Sequence, residues 1–386
     1  MEDKIIEKLN QMGQQHITKR LDNNENLRGQ ICKIDFDEIM KLYKGTKKNT
    51  PILEKYFEGI GYVEKDKLSM EEYGELEKIG NDVIKNGKYA VVTMAGGQGT
   101  RLGHSGPKGT YDIGLDSHKS LFELLADGIK EEAKKYDVTI PWFIMTSREN
   151  NEETVKFFEK NKFFGYQKDK NIFFFKQGEL PMVDTEGKIL IGEDGLVKEA
   201  ADGHGGIYEA LVKNGMTKKM KELGVEWVFI GGVDNCLVKM VDPVLMGIAI
   251  DKNVSVAGKS IVKANPHEKV GVFCKKNGKP YVIEYSEITD EMAEAVDKDG
   301  ELLYGESHIL CNLFRIDAIE RMGSNPLPYH IAYKKAKYID KDGNLVEPES
   351  PNAYKFEAFL FDAFGEVDDI AVLRVKREEE FAPIKN

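Results

Sequence analysis

The stretch from Lys88 to Lys108 restricts the fold of this chain more than any other part of the sequence. It begins with Tyr89 to Met94, an apolar and β-branched run with the length of a strand buried on both faces. Several glycines then follow within eight residues, namely Gly96, Gly97, Gly99 and Gly103. Backbone without side chains lets several N–H groups turn toward one anion, so the stretch predicts a strand that ends in a phosphate-binding loop.

Two cations support phosphate binding by this loop, and the glycine spacing distinguishes it from two common classes of phosphate-binding loop. Arg101 can bind phosphate oxygens through its forked guanidinium, and Lys108 can act as a point charge. A Walker A loop requires Lys-Ser or Lys-Thr after a suitably spaced glycine, which this stretch lacks. A dinucleotide fingerprint requires a glycine three residues after Gly99, where Leu102 stands. The remaining alternative is an ordinary glycine-rich turn with incidental charges.

Short apolar runs alternate with helical patterns after Lys88. The predicted strands are Tyr89–Met94, Trp142–Thr146, Ile172–Phe175 and Trp227–Gly231. The predicted helices between them are Ser120–Tyr136, Glu152–Asn161 and Gly205–Leu223. This alternation predicts an α/β fold with a Rossmann-like, mixed but mostly parallel sheet flanked by helices. Ligands of such sheets bind beyond the carboxyl ends of the strands, where the glycine loop falls.

The regions outside this alternation have different patterns. Residues 1–87 carry apolar residues at helical spacing, with helices expected at Asp35–Tyr43 and Met70–Ile84, which predicts a helical N-terminal region. Two strand-turn-strand patterns, around Asn277-Gly278 and around residues 341–344, predict an antiparallel sheet beside the main one.

Composition excludes several function classes. The net charge of −11 argues against a nucleic-acid-binding or anionic-membrane surface, so phosphorylated substrates must meet a local cationic pocket. Four widely spaced cysteines without a C-x-x-C pair suit a reducing compartment. The N-terminus lacks a signal-peptide pattern, and no apolar run has membrane-spanning length, so we expect a soluble cytoplasmic protein. The sequence does not indicate an oligomeric state.

A long series of motifs resembles one enzyme family. AGGQGTRLG followed by GPKGTYDIGL is similar to the nucleotide-binding signature of the UDP-N-acetylglucosamine and UDP-glucose pyrophosphorylases, which are uridylyltransferases. The resemblance continues through IFFFKQGELP, DGHGGIYEAL, VDNCLVKMVDP and the final REEEFAPIKN, and so extends from Lys88 to the end. It implies a nucleotide-diphospho-sugar transferase fold, with a catalytic domain at 88–370 and a C-terminal tail at 371–386 that closes on the active site.

The resemblance assigns residues to the nucleotide and the phosphates. Nucleotide binding is assigned to the loop residues and to two residues that would meet uracil, namely Ala95, Gly96, Gly97, Gly99, Thr100, Gln177 and Gly203. Arg101 is assigned to the triphosphate, and Lys108 and Lys385 to the reacting phosphates. Gln177 also suits uracil by its chemistry, because an amide matches the donor and acceptor edge of a pyrimidine. The alternatives are a Gln-Gly turn for Gln177 and a solvated tail for Lys385.

Asp234 is the candidate metal ligand. A carboxylate at the end of a buried strand beside a phosphate loop suits Mg²⁺, which prefers one or two carboxylates with phosphate oxygens and water. An Asp-Asn turn is the alternative, and the family aspartate at this position favours the metal. A second protein ligand cannot be selected from spacing.

Four residues are candidates for the sugar. Gly271, Glu284 and Asn312 match family positions beside the hexose, although Glu284 can also be read as an outward-facing strand residue. His204 is a departure, because the N-acetylglucosamine enzymes resemble DGNGG here, the glucose enzymes resemble GHGD, and this chain reads DGHGG. We expect His204 to contact sugar or phosphate. The nearby Phe359 and Phe361 are predicted to be core residues.

These assignments imply a reaction. UTP and a hexose 1-phosphate would form a UDP-sugar and pyrophosphate by in-line uridylyl transfer assisted by Mg²⁺, with cations and backbone donors supplying the catalysis. N-acetylglucosamine 1-phosphate is slightly favoured by the motifs. Glucose 1-phosphate or several sugars are the alternative that His204 favours. A UDP-sugar sensor without turnover is a more remote alternative, against which the presence of Arg101, Lys108 and Asp234 argues.

Overall fold

The computed structural model of the protein describes residues 2–22, 24–46 and 56–385. The α-helices are α1 Glu2–Gln11, α2 Gln15–Thr18, α3 Glu25–Ile31, α4 Phe36–Gly45, α5 Met70–Lys85, α6 Leu121–Lys135, α7 Asn151–Lys160, α8 Ile207–Lys213, α9 Met216–Glu222, α10 Pro243–Asp251, α11 Asp290–Glu294, α12 Ile316–Ser324 and α13 Arg377–Glu380. The strands are β1 Phe57–Glu58, β2 Val63–Glu64, β3 Tyr89–Met94, β4 Trp142–Thr146, β5 Ile172–Lys176, β6 Glu179–Pro181, β7 Val183–Asp184, β8 Glu199–Ala201, β9 Trp227–Gly232, β10 Val256–Val262, β11 Val272–Lys276, β12 Lys279–Ile283, β13 Glu306–Arg315, β14 His330–Lys334, β15 Tyr338–Ile339, β16 Leu345–Val346, β17 Ala353–Glu357 and β18 Ala371–Arg374.

The chain forms two compact units. The first comprises Met1–Pro51, Gly178–Gly206 and Leu327–Phe359, and the second comprises Ile52–Gln177, Ile207–Pro326 and Leu360–Asn386. The predicted division of the chain at residues 87 and 370 stays a prediction. No helix within the described ranges is long and apolar enough to cross a bilayer.

The second unit is built on the large sheet, whose main path has the order β2-β18-β10-β13-β9-β3-β4-β5. Neighbouring strands on this path are parallel except at β13, which runs antiparallel to both β9 and β10. Every residue of β3 and β4 is buried, as expected for parallel strands covered by helices on both faces. The predicted α/β fold with a mixed, mostly parallel sheet is therefore confirmed.

Two helices of this unit pack closely through glycines. A Cβ atom on Gly80 of α5 would lie 1.9 Å from a carbonyl oxygen of α10, and one on Gly247 of α10 would lie 2.0 Å from a carbonyl oxygen of α5. Helix α5 begins with a capping box in which Ser69 and Glu72 satisfy each other's backbone N–H groups, and α10 begins with the Asp242 cap. The missing side chains let the two backbones touch.

The first unit holds helices α1 to α4 and three small antiparallel sheets, which are β14-β17-β7, β15-β16 and β6-β8. Its core brings apolar residues of the four helices against Val183, Ile189 and Phe356. Asp35 caps α4 by accepting hydrogen bonds from two backbone N–H groups, as the helical spacing after it predicts. Among the described residues of 1–87, the helical spacing is matched by α1 to α5, while β1 and β2 also lie there.

Two predictions about elements need correction. The helix expected over Gly205–Leu223 is two helices, α8 and α9, because Gly215 takes a left-handed φ of 72° between them. The hairpin at Asn277-Gly278 does form, but β11 pairs with β13 at Val272 and so joins the large sheet. Of these two predicted hairpins, the one formed by β15 and β16 makes a sheet of its own.

Candidate active site

The glycine loop leaves the carboxyl end of β3 beside the end of β5. Ala95 is buried and donates its N–H to the Met145 carbonyl, at 2.8 Å. A Cβ atom on Gly96 would lie 2.6 Å from Oε1 of Gln177, which follows β5. Glycine at position 96 therefore leaves the space that the Gln177 amide occupies, and two predicted nucleotide residues lie in contact.

Backbone hydrogen bonds close the loop on itself. Gly99 N–H donates to the Gly106 carbonyl at 2.9 Å, and Lys108 N–H donates to the Gly97 carbonyl at 3.0 Å. The Asn150 amide, fully buried, donates to the carbonyls of Ala95 at 2.9 Å and of Gly97 at 3.3 Å. Hydrogen bonds within the protein therefore hold the backbone of the loop.

Two cations of the loop differ in their surroundings. Thr100 and Arg101 lie in one exposed turn of 3-10 helix that Gly103 ends with a φ of 70°. Lys108 is largely buried, and its Nζ lies 3.6 Å from Oδ2 of Asp234 at the end of β9. The structure thus brings together the predicted catalytic lysine and the predicted metal ligand.

Two polar residues that no sequence motif indicates, His104 and Asn150, also hold the loop. His104 fills the space beside Gly99 and Gly106, and its Nε2 lies 2.7 Å from the Thr110 hydroxyl. That hydroxyl donates to the Pro107 carbonyl, so neutral His104 carries its proton on Nε2. For Asn150, the only signal was a polar Ser-Arg-Glu-Asn run after a buried strand.

The C-terminal tail reaches Asp234. Ile384 N–H donates to the Asp234 carbonyl at 2.8 Å, and Pro383 forms a bridge with Asn235. Lys385, the next residue, is exposed. The tail therefore brings the backbone of Lys385 to the Asp234 loop.

A protein-only metal centre is absent from the described ranges. There, no group of three or more His, Cys, Asp or Glu side chains could hold an ion. The side chain of Asp234 is 29 % exposed. One open carboxylate fits Mg²⁺ as a ligand that shares the ion with substrate phosphates and water.

Three sugar candidates lie together in the second unit. A Cβ atom on Gly271 would lie 3.1 Å from Oε1 of Glu284. His308 links Gly271 to Asn312. Its backbone N–H donates to the Gly271 carbonyl at 2.8 Å, and its ring Nε2 lies 3.1 Å from Asn312 Oδ1. Asn312 is fully buried, and its Nδ2 has no hydrogen-bond partner among the described residues. A buried donor of this kind requires an acceptor.

Gly203 and His204 belong to the first unit. Gly203 has a φ of 88°, and a Cβ atom there would lie 2.3 Å from the Ala358 carbonyl oxygen. The His204 ring stacks on Phe359 with centroids 5.4 Å apart, and His330 stacks on Phe359 at 4.2 Å. The uracil and sugar contacts assigned to Gly203 and His204 stay predictions.

The core predictions for Phe359 and Phe361 have different outcomes. Phe361 is buried, so its predicted core position is confirmed. The core prediction for Phe359 is wrong, because the ring is half-buried and stacks with two histidines. The aromatic spacing of FEAFLFDAF did not reveal this, since His204 and His330 are distant in sequence.

Comparisons with known proteins agree with the fold and the motifs. The UDP-N-acetylglucosamine pyrophosphorylase of Saccharomyces cerevisiae is 41% identical over 322 residues, which cover 81% of this chain and 67% of that protein. The UDP-N-acetylhexosamine pyrophosphorylase-like protein 1 of Mus musculus is 41% identical over 319 residues, covering 80% and 63%. The chain thus spans about two thirds of these relatives.

A solved structure and a family model extend the match to nearly the whole chain. The Trypanosoma brucei uridine diphosphate N-acetylglucosamine pyrophosphorylase, crystallised with an inhibitor, superposes with a TM-score of 0.82 at 30% identity, covering 100% of this chain and 81% of that one. The family model described as UTP–glucose-1-phosphate uridylyltransferase matches residues 35–386. The resemblance found in the motifs is confirmed, and the protein belongs to the UTP–glucose-1-phosphate uridylyltransferase family.

Proposed function

We propose that the protein transfers the uridylyl group of UTP to a hexose 1-phosphate, giving a UDP-sugar and pyrophosphate. The observation that carries the proposal is the placement of Gly96, Gln177 and Asp234 just beyond the carboxyl ends of β3, β5 and β9, where α/β sheets bind ligands, with Lys108 of the glycine loop beside Asp234. An amide for the base lies at one end of the glycine loop, and a cation with a carboxylate lies at the other.

Base recognition is assigned to the contact between Gly96 and Gln177. The amide can donate to one uracil carbonyl and accept from the ring N–H, which matches the pyrimidine edge. The absent side chain at Gly96 keeps the amide in place, because an added Cβ would lie 2.6 Å from its oxygen.

Phosphate chemistry is assigned to Arg101, Lys108 and Lys385. A sugar phosphate oxygen attacks the α-phosphorus, the bond from that phosphorus to the bridging oxygen breaks, and pyrophosphate leaves with the bond electrons. No protein nucleophile takes part. The barrier comes from anion repulsion and charge on the α-phosphate, so fixed cations lower it. Mg²⁺ bound by Asp234 would neutralise phosphate charge.

The sugar pocket is assigned to Gly271, Glu284 and Asn312. The unpartnered Asn312 Nδ2 can donate to a sugar acyl oxygen or hydroxyl, and the Glu284 carboxylate can accept from hydroxyls. N-acetylglucosamine 1-phosphate is favoured by the motifs and by the yeast relative, which bears that sugar in its name. Glucose 1-phosphate is the alternative, which His204 favours through its resemblance to the glucose enzymes.

The test is pyrophosphate release from UTP and Mg²⁺ with N-acetylglucosamine 1-phosphate, glucose 1-phosphate and galactose 1-phosphate in parallel. Release mainly with N-acetylglucosamine 1-phosphate supports the favoured substrate. Release mainly with glucose 1-phosphate supports the alternative substrate and makes His204 the residue to test for sugar specificity. UTP binding without release from any of the three sugars would identify a sensor.

We also propose a cytoplasmic location. All four cysteines, Cys32, Cys236, Cys274 and Cys311, are unpaired, which suits a reducing compartment. Fractionation of the source cells with an antibody to the chain tests the proposal, and recovery from an oxidising compartment would reject it.

A further inference from the structure

A cluster of buried charges lies behind the Asp234 loop in the second unit. Lys259 on β10 is fully buried, and its Nζ contacts Asp242 Oδ2 at 2.8 Å and also contacts the Glu380 carboxylate. Asp242 and Glu380 are themselves 3 % and 2 % exposed. Lys65 adds a second cation, 2.7 Å from Asp242 and 3.6 Å from Glu380. The cluster joins β10, the start of α10 and the end of α13.

The groups of this cluster hold one another in their charged forms. Burial alone would raise the pKa of Asp242, but Lys259 and Lys65 outweigh it and lower that pKa below its usual range. Burial alone would lower the pKa of Lys259, but Asp242 and Glu380 outweigh it and raise that pKa. Removal of one partner leaves the others buried and incompletely paired, which is far more costly than the loss of a surface pair.

The tail begins at Glu380 and follows the Asp234 loop from there. The Asn235 side chain binds the tail twice, donating from Nδ2 to the Glu380 carbonyl at 2.7 Å and accepting at Oδ1 from Ala382 N–H at 2.9 Å. Ile384 N–H then donates to the Asp234 carbonyl at 2.8 Å. The backbone from Glu380 to Ile384 is thereby attached to the loop that carries Asp234.

We propose that Lys259, Asp242 and Glu380 are positioning residues for uridylyl transfer. Their buried cluster anchors the start of the tail, and the tail in turn fixes the Asp234 loop and places Lys385 beside it. The inference rests on the proposed function, because it assigns Asp234 and Lys385 to the reaction. None of the three positioning residues needs to touch substrate.

The test compares Lys259→Met and Glu380→Gln with Lys221→Met. Lys221 forms an ion pair with Glu320 on the surface, and its side chain is 51% exposed, so its loss serves as the matched control. Since misplacement of reacting groups by about 1 Å can cost about a hundredfold in rate, we expect kcat to fall by about that factor in the two cluster variants. We expect the Kd for UTP to stay within about threefold, because the glycine loop is untouched. The control should keep wild-type values.

Two further measurements separate positioning from general loss of structure. Hydrogen exchange should show that the amides of Ala382 and Ile384 lose protection in the cluster variants, while those of β3 keep it. In a Lys385→Ala background, Lys259→Met should lower kcat by less than a hundredfold, because one of the two groups it positions is gone and only Asp234 remains to be misplaced. Glu380→Gln keeps the side-chain volume and the backbone carbonyl, and provides the test if Lys259→Met does not fold.

Three outcomes decide the inference. Wild-type kcat in folded Glu380→Gln, protected tail amides in that variant, or full additivity with Lys385→Ala would each overturn it. If the wild-type protein itself released no pyrophosphate from any sugar phosphate, the proposed function would fail, and the exchange data alone would still report whether the cluster anchors the tail.

Discussion

Replacement of Gly96 by alanine tests the uracil pocket with one added methyl group. Gly96 does not have a left-handed φ, so alanine meets no backbone strain there. The new Cβ would lie 2.6 Å from Oε1, 2.9 Å from Cδ and 3.1 Å from Nε2 of Gln177. To reach an ordinary contact of 3.4 Å, the amide oxygen must retreat by about 0.8 Å, which would lengthen both of the proposed hydrogen bonds to uracil beyond their useful range.

The magnitude follows from the loss of two neutral hydrogen bonds. Each contributes about 0.5–1.5 kcal/mol, so Gly96→Ala should cost about 1–3 kcal/mol of UTP binding. That loss corresponds to about 5- to 150-fold in kcat/KM. The loss should appear as a higher KM for UTP with kcat nearly unchanged. The base is remote from the reacting phosphorus, so contacts with it stabilise the ground state and the transition state equally.

The assay is steady-state pyrophosphate release with UTP varied, for the wild type, Gly96→Ala, Gln177→Ala and the double variant. Gly128→Ala is the control, since an added Cβ on this exposed residue of α6 meets nothing within 4 Å. If Gly96→Ala acts through Gln177, it should have little further effect in the Gln177→Ala background. An equal loss in both backgrounds would refute the reasoning and indicate that the methyl group obstructs the phosphates.

Three other perturbations test separate parts of the molecule. Lys108→Ala and Asp234→Ala should each lower kcat a hundredfold or more, about the effect of one lost electrostatic donor, measured by the same pyrophosphate assay. Gly80→Ala should destabilise α5 against α10 by more than about 1 kcal/mol in urea unfolding, because its Cβ would lie 1.9 Å from a carbonyl oxygen. His16 has a pKa lowered mainly by burial, so the unfolded chain binds its proton more tightly, and stability should fall as the pH drops below about 6.5.

Each of these perturbations has an outcome that would contradict it. Near-normal turnover in either charge variant would remove that residue from the mechanism. Gly74→Ala on the same helix meets nothing within 4 Å and should stabilise α5 by up to about 1 kcal/mol, so equal effects of the two alanines would contradict the packing argument. For His16→Gln, the melting temperature should depend less on pH between 7 and 5 than that of the wild type, and an unchanged dependence would reject the assignment.

Local patterns in the sequence predicted β3, β4, β5 and β9 and the glycine loop well, whereas β10, β13 and β18 of the same sheet were not predicted. Strand β3 has the predicted bounds, because a buried parallel strand is apolar throughout and glycine marks its end. The helix predicted over Met70–Ile84 begins at Met70 and ends at Lys85, one residue later than expected, and a capping box marks its start. These features depend on residues within a few positions of one another.

Long-range contacts account for what the sequence did not reveal. Asn150 holds carbonyls of a loop about fifty residues earlier, and His308 joins Gly271 to Asn312 across two strands. The sequence also gave no sign that Lys259 would be fully buried, because its strand position resembles that of a solvated lysine until Asp242 and Glu380 are seen beside it. Periodicity reports which face of an element is apolar, and it does not report which distant polar group meets that face.

Strand β18 has a consequence for how the protein is made. It pairs with β10 on one side and with β2 on the other, and Arg374 of β18 meets Glu64 of β2 across 310 positions of the chain. At about 5–20 residues per second, a ribosome needs roughly 15–60 s to synthesise that interval. Strand β2 waits through this whole interval for its partner, whereas β10, complete at Val262, presents an open edge only until β18 follows at Ala371. Either open edge can pair with other nascent chains. Crowded translation should therefore favour aggregation of this protein, and slower initiation should raise its soluble yield.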